Sequence, residues 1–207
     1  MKKSFIKLPV DYNDSPNWEF MERYIKSLHH KSITTTVTKN KHLQLNPNEW
    51  GEFRIGQFFT VKRGSRIVRN KDYFTFQTND YCYNVITSTK LNNGVDGYYH
   101  SFNCPKNSIV CCGEAGGMFT TYQPTECWVM DRARTFKPKK DVPINKNIGL
   151  FLATIFNQNQ YKYSYGRTPN PQGIEQTIIK LPVNKEKSPD WAYMESYIKS
   201  LPYSDRI

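Results

Sequence analysis

The sequence predicts an α+β protein: a twisted, mostly antiparallel β recognition body flanked by two short, repeat-related helices. Three observations lead there. Short β-branched and aromatic runs in the middle of the chain are punctuated by Gly-bearing turn signals. One apolar stretch among them, 147–157, has the length and pattern of a helix. A near-copy of one segment stands at each end of the chain. The chain has 207 residues, 38% hydrophobic and 14% aromatic, enough to bury a core for one domain, alone or with an appendage.

The repeat divides the chain into residues 1–30, 31–178 and 179–207. Ile6-Lys-Leu-Pro-Val10 recurs as Ile179-Lys-Leu-Pro-Val183, and the match runs on without a gap. Ser15-Pro16 answers Ser188-Pro189, Trp18 answers Trp191, and Met21-Glu22 answers Met194-Glu195. Tyr24-Ile-Lys-Ser-Leu28 answers Tyr197-Ile-Lys-Ser-Leu201. Each copy starts with a strand or extended arm ended by Pro, which cannot continue a ladder. A polar loop follows, and Ser-Pro then reads as N-cap and first helical residue. Trp18, Met21, Ile25 and Leu28 form an apolar seam with spacings 3, 4 and 3, as do Trp191, Met194, Ile198 and Leu201. Pro202 stops the second helix. A seam of this kind packs either onto the body as core or onto a partner. Core helices have no need to be near-copies, so the repetition favours a docking or dimerisation surface.

Between the arms, Ile33–Lys41 reads as a Thr/Lys-rich connector, and 50–62 mixes a helix-like stretch with a strand. Residues 81–87, 108–112, 118–122 and 126–130 read as strands. Lys62–Arg66, Asn92–Gly94, Asp96-Gly97 and Gly113–Gly117 read as turns.

Composition narrows the function. With 29 Lys+Arg against 18 Asp+Glu, the formal net charge is +11 at pH 7. That footprint suits a phosphate backbone, although charge alone serves a merely basic protein equally well. No apolar run approaches a membrane span, and Met1-Lys-Lys-Ser-Phe opens without the apolar core of a secretory signal. A cytoplasmic, non-membrane protein is expected. Cys82, Cys104, Cys111, Cys112 and Cys127 form no C-x-x-C pair and find no His at metal spacing, so thiols in a reducing compartment are expected and no metal. No phosphate-gripping P-loop, G-x-S-x-G elbow or H-E-x-x-H helix is present. No catalytic residue is assigned.

Two loops carry recognition chemistry instead. Lys62, Arg63, Gly64 and Arg66, continuing to Arg69 and Lys71, combine a flexible turn with cations that fork onto phosphate or guanine. Tyr163, Tyr165, Arg167, Asn170 and Gln172 offer rings that stack and amides that read adenine.

The order of these pieces resembles the DNA specificity subunit of type I restriction–modification systems, or the similar recognition subunit of related type II systems. The residues that carry the likeness are Trp50-Gly-Glu-Phe-Arg-Ile-Gly56, Lys62–Gly64, Asn93–Tyr98 and Tyr163–Arg167. Leu181-Pro-Val, with its Pro-Asp-Trp…Met-Glu…Ile-Lys helix, completes it. The resemblance implies a non-catalytic subunit that reads one half of a split site in double-stranded DNA. It implies helices that dock methyltransferase subunits, with a restriction subunit as a further partner. S-adenosylmethionine would sit on the methyltransferase, and this chain would hold no cofactor. One recognition domain and short helices, where two domains and long coiled spacers are usual, raise the options of a homodimer or of a longer chain. Two other readings fit the same residues: a small nucleic-acid-modifying enzyme, and a protein that occupies a restriction complex without reading DNA.

Overall fold

The computed structural model describes residues 7–27, 43–112, 117–164, 166–168, 170–202 and 204. The Ile33–Lys41 connector, most of the Gly113–Gly117 turn, Leu28 and Tyr165 lie outside them. The chain forms two compact units, residues 1–39 and 40–207.

In the larger unit, β2 (Phe59–Arg63), β5 (Ser108–Cys112), β6 (Phe119–Gln123) and β8 (Ala133–Pro138) build an antiparallel sheet in the order β2-β8-β5-β6. A second sheet joins β4 (Val95–Tyr99), β3 (Tyr83–Ile86) and β7 (Cys127–Val129) in that order, with β3 and β7 parallel. The third pairs β1 (Gly51–Arg54) with β9 (Ile178–Leu181), antiparallel. Helix α2 (Lys146–Asn157) lies against the four-stranded sheet and the C-terminal helix α4 (Trp191–Ser200). Asn145 caps α2 through its side chain, and six apolar residues of the helix, from Ile148 to Phe156, are buried. Phe59, Phe136 and Phe156 meet edge to face or tilted at centroid distances of 5.0–6.0 Å and anchor the core between α2 and the sheet.

The four strands expected at 81–87, 108–112, 118–122 and 126–130 are present, the second with the ends expected and the other three with ends shifted by one or two residues. The Asn92–Gly94 turn is a short 3₁₀ turn with positive φ at all three residues. Asp96-Gly97, expected as a turn, lies inside β4 instead. Gly97 serves close approach there, since a Cβ would come within 2.5 Å of the Phe74 carbonyl oxygen. Strand β8 and the short helix α3 (Pro171–Glu175) are additional. Four of the cysteines are buried free thiols and Cys82 is exposed. Burial pushes the Cys112 thiol up to about 11.

The second arm corrects two expectations. Met194 and Ile198 of α4 are buried in the main core, with Trp191, Tyr197 and Leu201 packed against it. Trp191 meets Phe58 edge-on at 5.6 Å, and Tyr197 meets Phe151 at 6.0 Å. This seam is core of its own body, not a free docking surface, and residues 179–202 belong to the same compact unit as the body. The helix cap is Asp190, accepting from the Tyr193 N–H at 2.8 Å, rather than Ser188. Pro189 bridges Val183 instead of opening the helix.

The smaller unit contains α1 (Trp18–Ser27), which buries none of its residues. Asn17 accepts from the Phe20 N–H at 2.8 Å, and Phe20 stacks on Tyr24 at 6.1 Å. Trp18 is 67% exposed, Ile25 is 56% exposed, and Met21 is half-buried.

Candidate nucleic-acid interface

Across the four-stranded sheet, Arg63 faces Arg134, Arg134 faces Cys111, and Cys111 faces Thr120. At about 4.8 Å per strand, that row spans about 14 Å. Gly64 follows β2, Ala133 opens β8 and Cys112 closes β5. One end of the sheet therefore collects the exit of β2, the entry of β8 and the β5–β6 connection. The second loop reaches the same end: a Cβ on Gly117 would meet the carbonyl oxygens of Tyr163 at 3.2 Å and Gln160 at 3.3 Å.

The first loop is more ordered than a flexible turn. Lys62 and Arg63 are strand residues paired with Thr135 and Arg134, and both side chains are exposed. Gly64 is required by packing rather than by flexibility, because a Cβ there would fall 2.0 Å from the Val129 carbonyl oxygen. The Trp128 indole N–H donates to the Ser65 carbonyl at 2.9 Å, and the Ser65 N–H donates to the Val129 carbonyl at 2.9 Å. Further on, Asp72 accepts from the Val68 N–H at 2.7 Å and closes a small loop with Asn70 at φ 59. Arg66, Arg69 and Lys71 are exposed. Arg69 is held by Asp96, its guanidinium 3.5 Å from that carboxylate, which also accepts from the Tyr73 hydroxyl at 2.9 Å. Burial and then the Asp96 hydrogen bond push the Tyr73 hydroxyl up to about 12.

The second loop separates into structural and outward-facing residues. Tyr163 is half-buried, and its hydroxyl lies 2.5 Å from the Thr177 hydroxyl and donates to the Gly173 carbonyl at 3.2 Å. Burial raises its pKa. It packs against the core and is not an available stacking platform, which corrects its assignment as a reader. Asn170 caps α3, its side-chain oxygen accepting from the Gly173 N–H at 2.7 Å. That oxygen is engaged by the cap, which gives Asn170 a structural role beside the reading of adenine expected from it. Arg167 and Gln172 are exposed. Arg167 closes a tight turn with Ser164, its N–H donating to the Ser164 carbonyl at 2.9 Å, and Gly166 at φ 85 supplies the left-handed residue that the turn needs.

Sequence reasoning missed one concavity beside the first loop. Arg66, Ile67, Val68 and Arg69 line a cavity of about 270 Å³ with Thr87, Ser88, Met130, Asp131 and Arg132. The exposed Arg132 stands on the β7–β8 turn, which the buried Arg134 clasps by donating to the Asp131 and Ala133 carbonyls, both at 3.1 Å. The Arg132-Ala-Arg134 pair was the available signal, but only the pairing of β8 with β2 brings it beside Arg66. Aromatic residues were missed as well. Phe76 is 81% exposed, and Phe74, Tyr81 and His100 form an edge-to-face row beside β4 at 5.0 and 6.0 Å. The run of rings at 73–83 and 98–102 is visible in the sequence as composition only.

This end of the body offers exposed cations on strand ends, a polar concavity and a Gly-bearing turn with an arginine. Such a set has the chemistry to hold phosphate and to meet base edges. The described residues contain no helix long and apolar enough to cross a membrane. The chain is 25% identical over 210 residues to the specificity subunit S.BcgI of a type II restriction enzyme from Heyndrickxia coagulans. That alignment covers 96% of this chain and 58% of the relative, so the chain spans little more than half of the relative's length. In fold it is similar to the S subunit of a type I restriction–modification system from M. genitalium, with a TM-score of 0.59 at 14% identity. The match covers 76% of this chain and 40% of that one. The HsdS subunit from Thermoanaerobacter tengcongensis matches with a TM-score of 0.50 at 13% identity over 80% of this chain and 41% of that one. A model of the type I restriction modification DNA specificity domain matches residues 47–202, and with so much of the chain inside that domain the protein belongs to this family.

Proposed function

We propose that this chain is a non-catalytic reading head: it recognises one half of a split site in double-stranded DNA and directs separate methyltransferase and restriction subunits there. The observation that carries the reading is the register row from Arg63 through Arg134 and Cys111 to Thr120. It supports a single binding end on which Lys62, Arg63, Arg66, Arg132 and Arg167 converge. Lys62, Arg63 and Lys71 act on phosphate, while Arg66 and Arg132 at the rim of the concavity, with Arg167 and Gln172, act on base edges. S-adenosylmethionine belongs to the methyltransferase subunit in this reading.

The test is a binding selection from random duplexes with the purified chain, with and without an adenine methyltransferase of such a system. The expected result is one short motif, the same in both arms. A selection that returns no motif in either arm overturns the reading. Incubation of the chain alone with duplex DNA, Mg²⁺ and S-adenosylmethionine should give neither cleavage nor methyl transfer. Either product would make it an enzyme.

A further inference from the structure

The run Tyr73-Phe-Thr-Phe76 opens a loop that leads into β3. This loop is held down at both ends. Phe74 pairs with Tyr98 of β4, its N–H donating at 3.1 Å and its carbonyl accepting at 2.7 Å, and Gly97 leaves the room that the pairing needs. The Tyr73 hydroxyl donates to Asp96 at 2.9 Å, and the Arg69 guanidinium donates to the Thr75 hydroxyl at 3.5 Å. At the far end the Tyr81 N–H donates to the Thr78 hydroxyl and the Thr78 N–H to the Tyr81 carbonyl, both at 3.1 Å. The Gln77 side chain donates to the Cys82 carbonyl at 3.4 Å.

Aromatic rings brace the loop from below. Phe74, Tyr81, His100, Tyr99 and Trp128 stand in succession, with centroids 5.0, 6.0, 4.1 and 4.8 Å apart. The last of them, Trp128, donates its indole N–H to Ser65 in the first recognition loop. A continuous ladder of five rings therefore sets the 75–82 loop against that basic segment.

Phe76 takes no part in the ladder. Its neighbours Thr75 and Gln77 are tied by their side chains, whereas Phe76 is largely exposed and meets no other ring among the described residues. Its surroundings are cationic. Arg69, which touches Thr75, also lines the polar cavity with Arg66 and Arg132, and Lys71 is exposed on the same approach. Asp80 is the single ionised side chain within 75–82.

A phenylalanine ring has no donor or acceptor for a base edge. It offers a flat apolar face, and the matching faces of a duplex are those between stacked base pairs. A ring reaches them by entering a base step and parting it. The nearby cations would neutralise the phosphates drawn together when the duplex kinks there. A stiff loop suits this task, because a side chain that has to part a step must not fold aside when it meets resistance.

We infer that Phe76 is a wedge: on binding, its ring enters one base step in or beside the half-site and partly unstacks it. The chain then reads that step by how readily it opens, so a pyrimidine–purine step such as TA or CA is favoured there. The inference rests on the proposed reading of DNA and adds to it a position that is recognised without a hydrogen bond to a base.

The test uses the full chain and duplexes that carry the motif it selects. Each adenine is replaced in turn by 2-aminopurine and each cytosine by pyrrolocytosine, through the motif and its flanks, so that every base pair is probed. The fluorescence is expected to rise at least about threefold at a single step, as stacking is lost there. Phe76→Ala should abolish the rise and weaken binding at least about fivefold, while Phe76→Leu, still an apolar wedge, keeps most of both. The thermal midpoint of Phe76→Ala should stay within about 2 °C of the parent, since the exposed ring adds little to folding. A motif bound with no rise at any step overturns the inference and leaves the proposed function standing, as does a rise that survives Phe76→Ala. If Phe76→Ala instead keeps rise and affinity but loses capture of the methyltransferase subunit, the ring belongs to a protein interface and the inference is again overturned. A selection that returns no motif removes the proposed function and the wedge together.

Discussion

The carboxylate of Glu175 accepts a hydrogen bond of 2.7 Å from the backbone N–H of Val61. Glu175 ends α3, the short helix behind the second loop, and Val61 precedes Lys62 on β2. One bond therefore ties the two candidate contact segments together. It also satisfies a donor on the edge of the sheet that no neighbouring strand reaches. Glu175→Ala is expected to destabilise the body by about 1–3 kcal/mol, because the donor is left without its partner. Glu175→Gln keeps an acceptor and should lose less. Equilibrium urea denaturation measures both, and equal losses would show that the bond is not what Glu175 contributes.

The two arms make a matched pair for stability. Ile198 is 8% exposed and its counterpart Ile25 is 56% exposed. Ile198→Ala should cost about 2–5 kcal/mol from lost burial and the cavity left behind. Ile25→Ala in the isolated chain should stay within about 0.5 kcal/mol. Denaturation curves of the two variants, fitted with a common slope, give the comparison directly.

Phosphate and base contacts separate by their salt dependence. Lys62→Ala should weaken binding to every duplex alike and reduce the slope of log affinity against log salt by about 1. Arg167→Ala should cost about 1–3 kcal/mol on the preferred sequence and relax the choice at one position. Fluorescence anisotropy at several salt concentrations, on preferred and scrambled duplexes, distinguishes the two. A uniform loss for both variants would remove Arg167 from the base readers.

Asn170 is expected to behave as a cap. Asn170→Ala should destabilise by about 1 kcal/mol, while Asn170→Asp or Asn170→Ser keeps most of the stability. The selected DNA motif should be unchanged in all three. A changed motif would return Asn170 to the recognition surface.

Tyr73 gives a pH signature. Its folded pKa, raised to about 12 by burial and then by the Asp96 hydrogen bond, lies above the ordinary value of 10.0. A hydroxyl whose folded pKa is raised contributes stability that is fully present below pH 10, declines from there, and is lost as pH rises through 12. Subtracting the Tyr73→Phe stability curve from the parent curve should therefore give a difference that is flat below pH 10 and falls between pH 10 and 12. A difference that stays flat to pH 12 would contradict the assignment.

The elements legible in the sequence were those that local chemistry decides. Ser108–Cys112 is an apolar run between turn signals, and it folds as a strand buried along its whole length. The repeat was legible because it is written twice. What escaped were decisions made by tertiary contact. Gly97 looked like a turn because glycine usually frees the chain, but here it lets Phe74 approach. Tyr163 and Asn170 looked like readers because a ring and an amide suit bases, but the Thr177 hydroxyl and the Gly173 N–H had already engaged them. The role of Arg132 could not be read locally, since its neighbour Arg66 comes from the other side of a strand pairing. The second seam was legible as apolar but not as buried, because a seam pattern alone does not name the surface that receives it.

The parallel pairing of β3 with β7 also governs how the body assembles. An antiparallel neighbour arrives through a short turn, as β4 reaches β3 through the residues around Asn92. The parallel neighbour is reached only after β4, β5 and β6 have been traversed. Closing that span costs chain entropy which no local contact returns, so the β5–β6 hairpin is expected to form before the β7 edge locks. The cavity shared by Arg66, Thr87 and Met130 straddles this seam, so its shape depends on the most non-local pairing in the body.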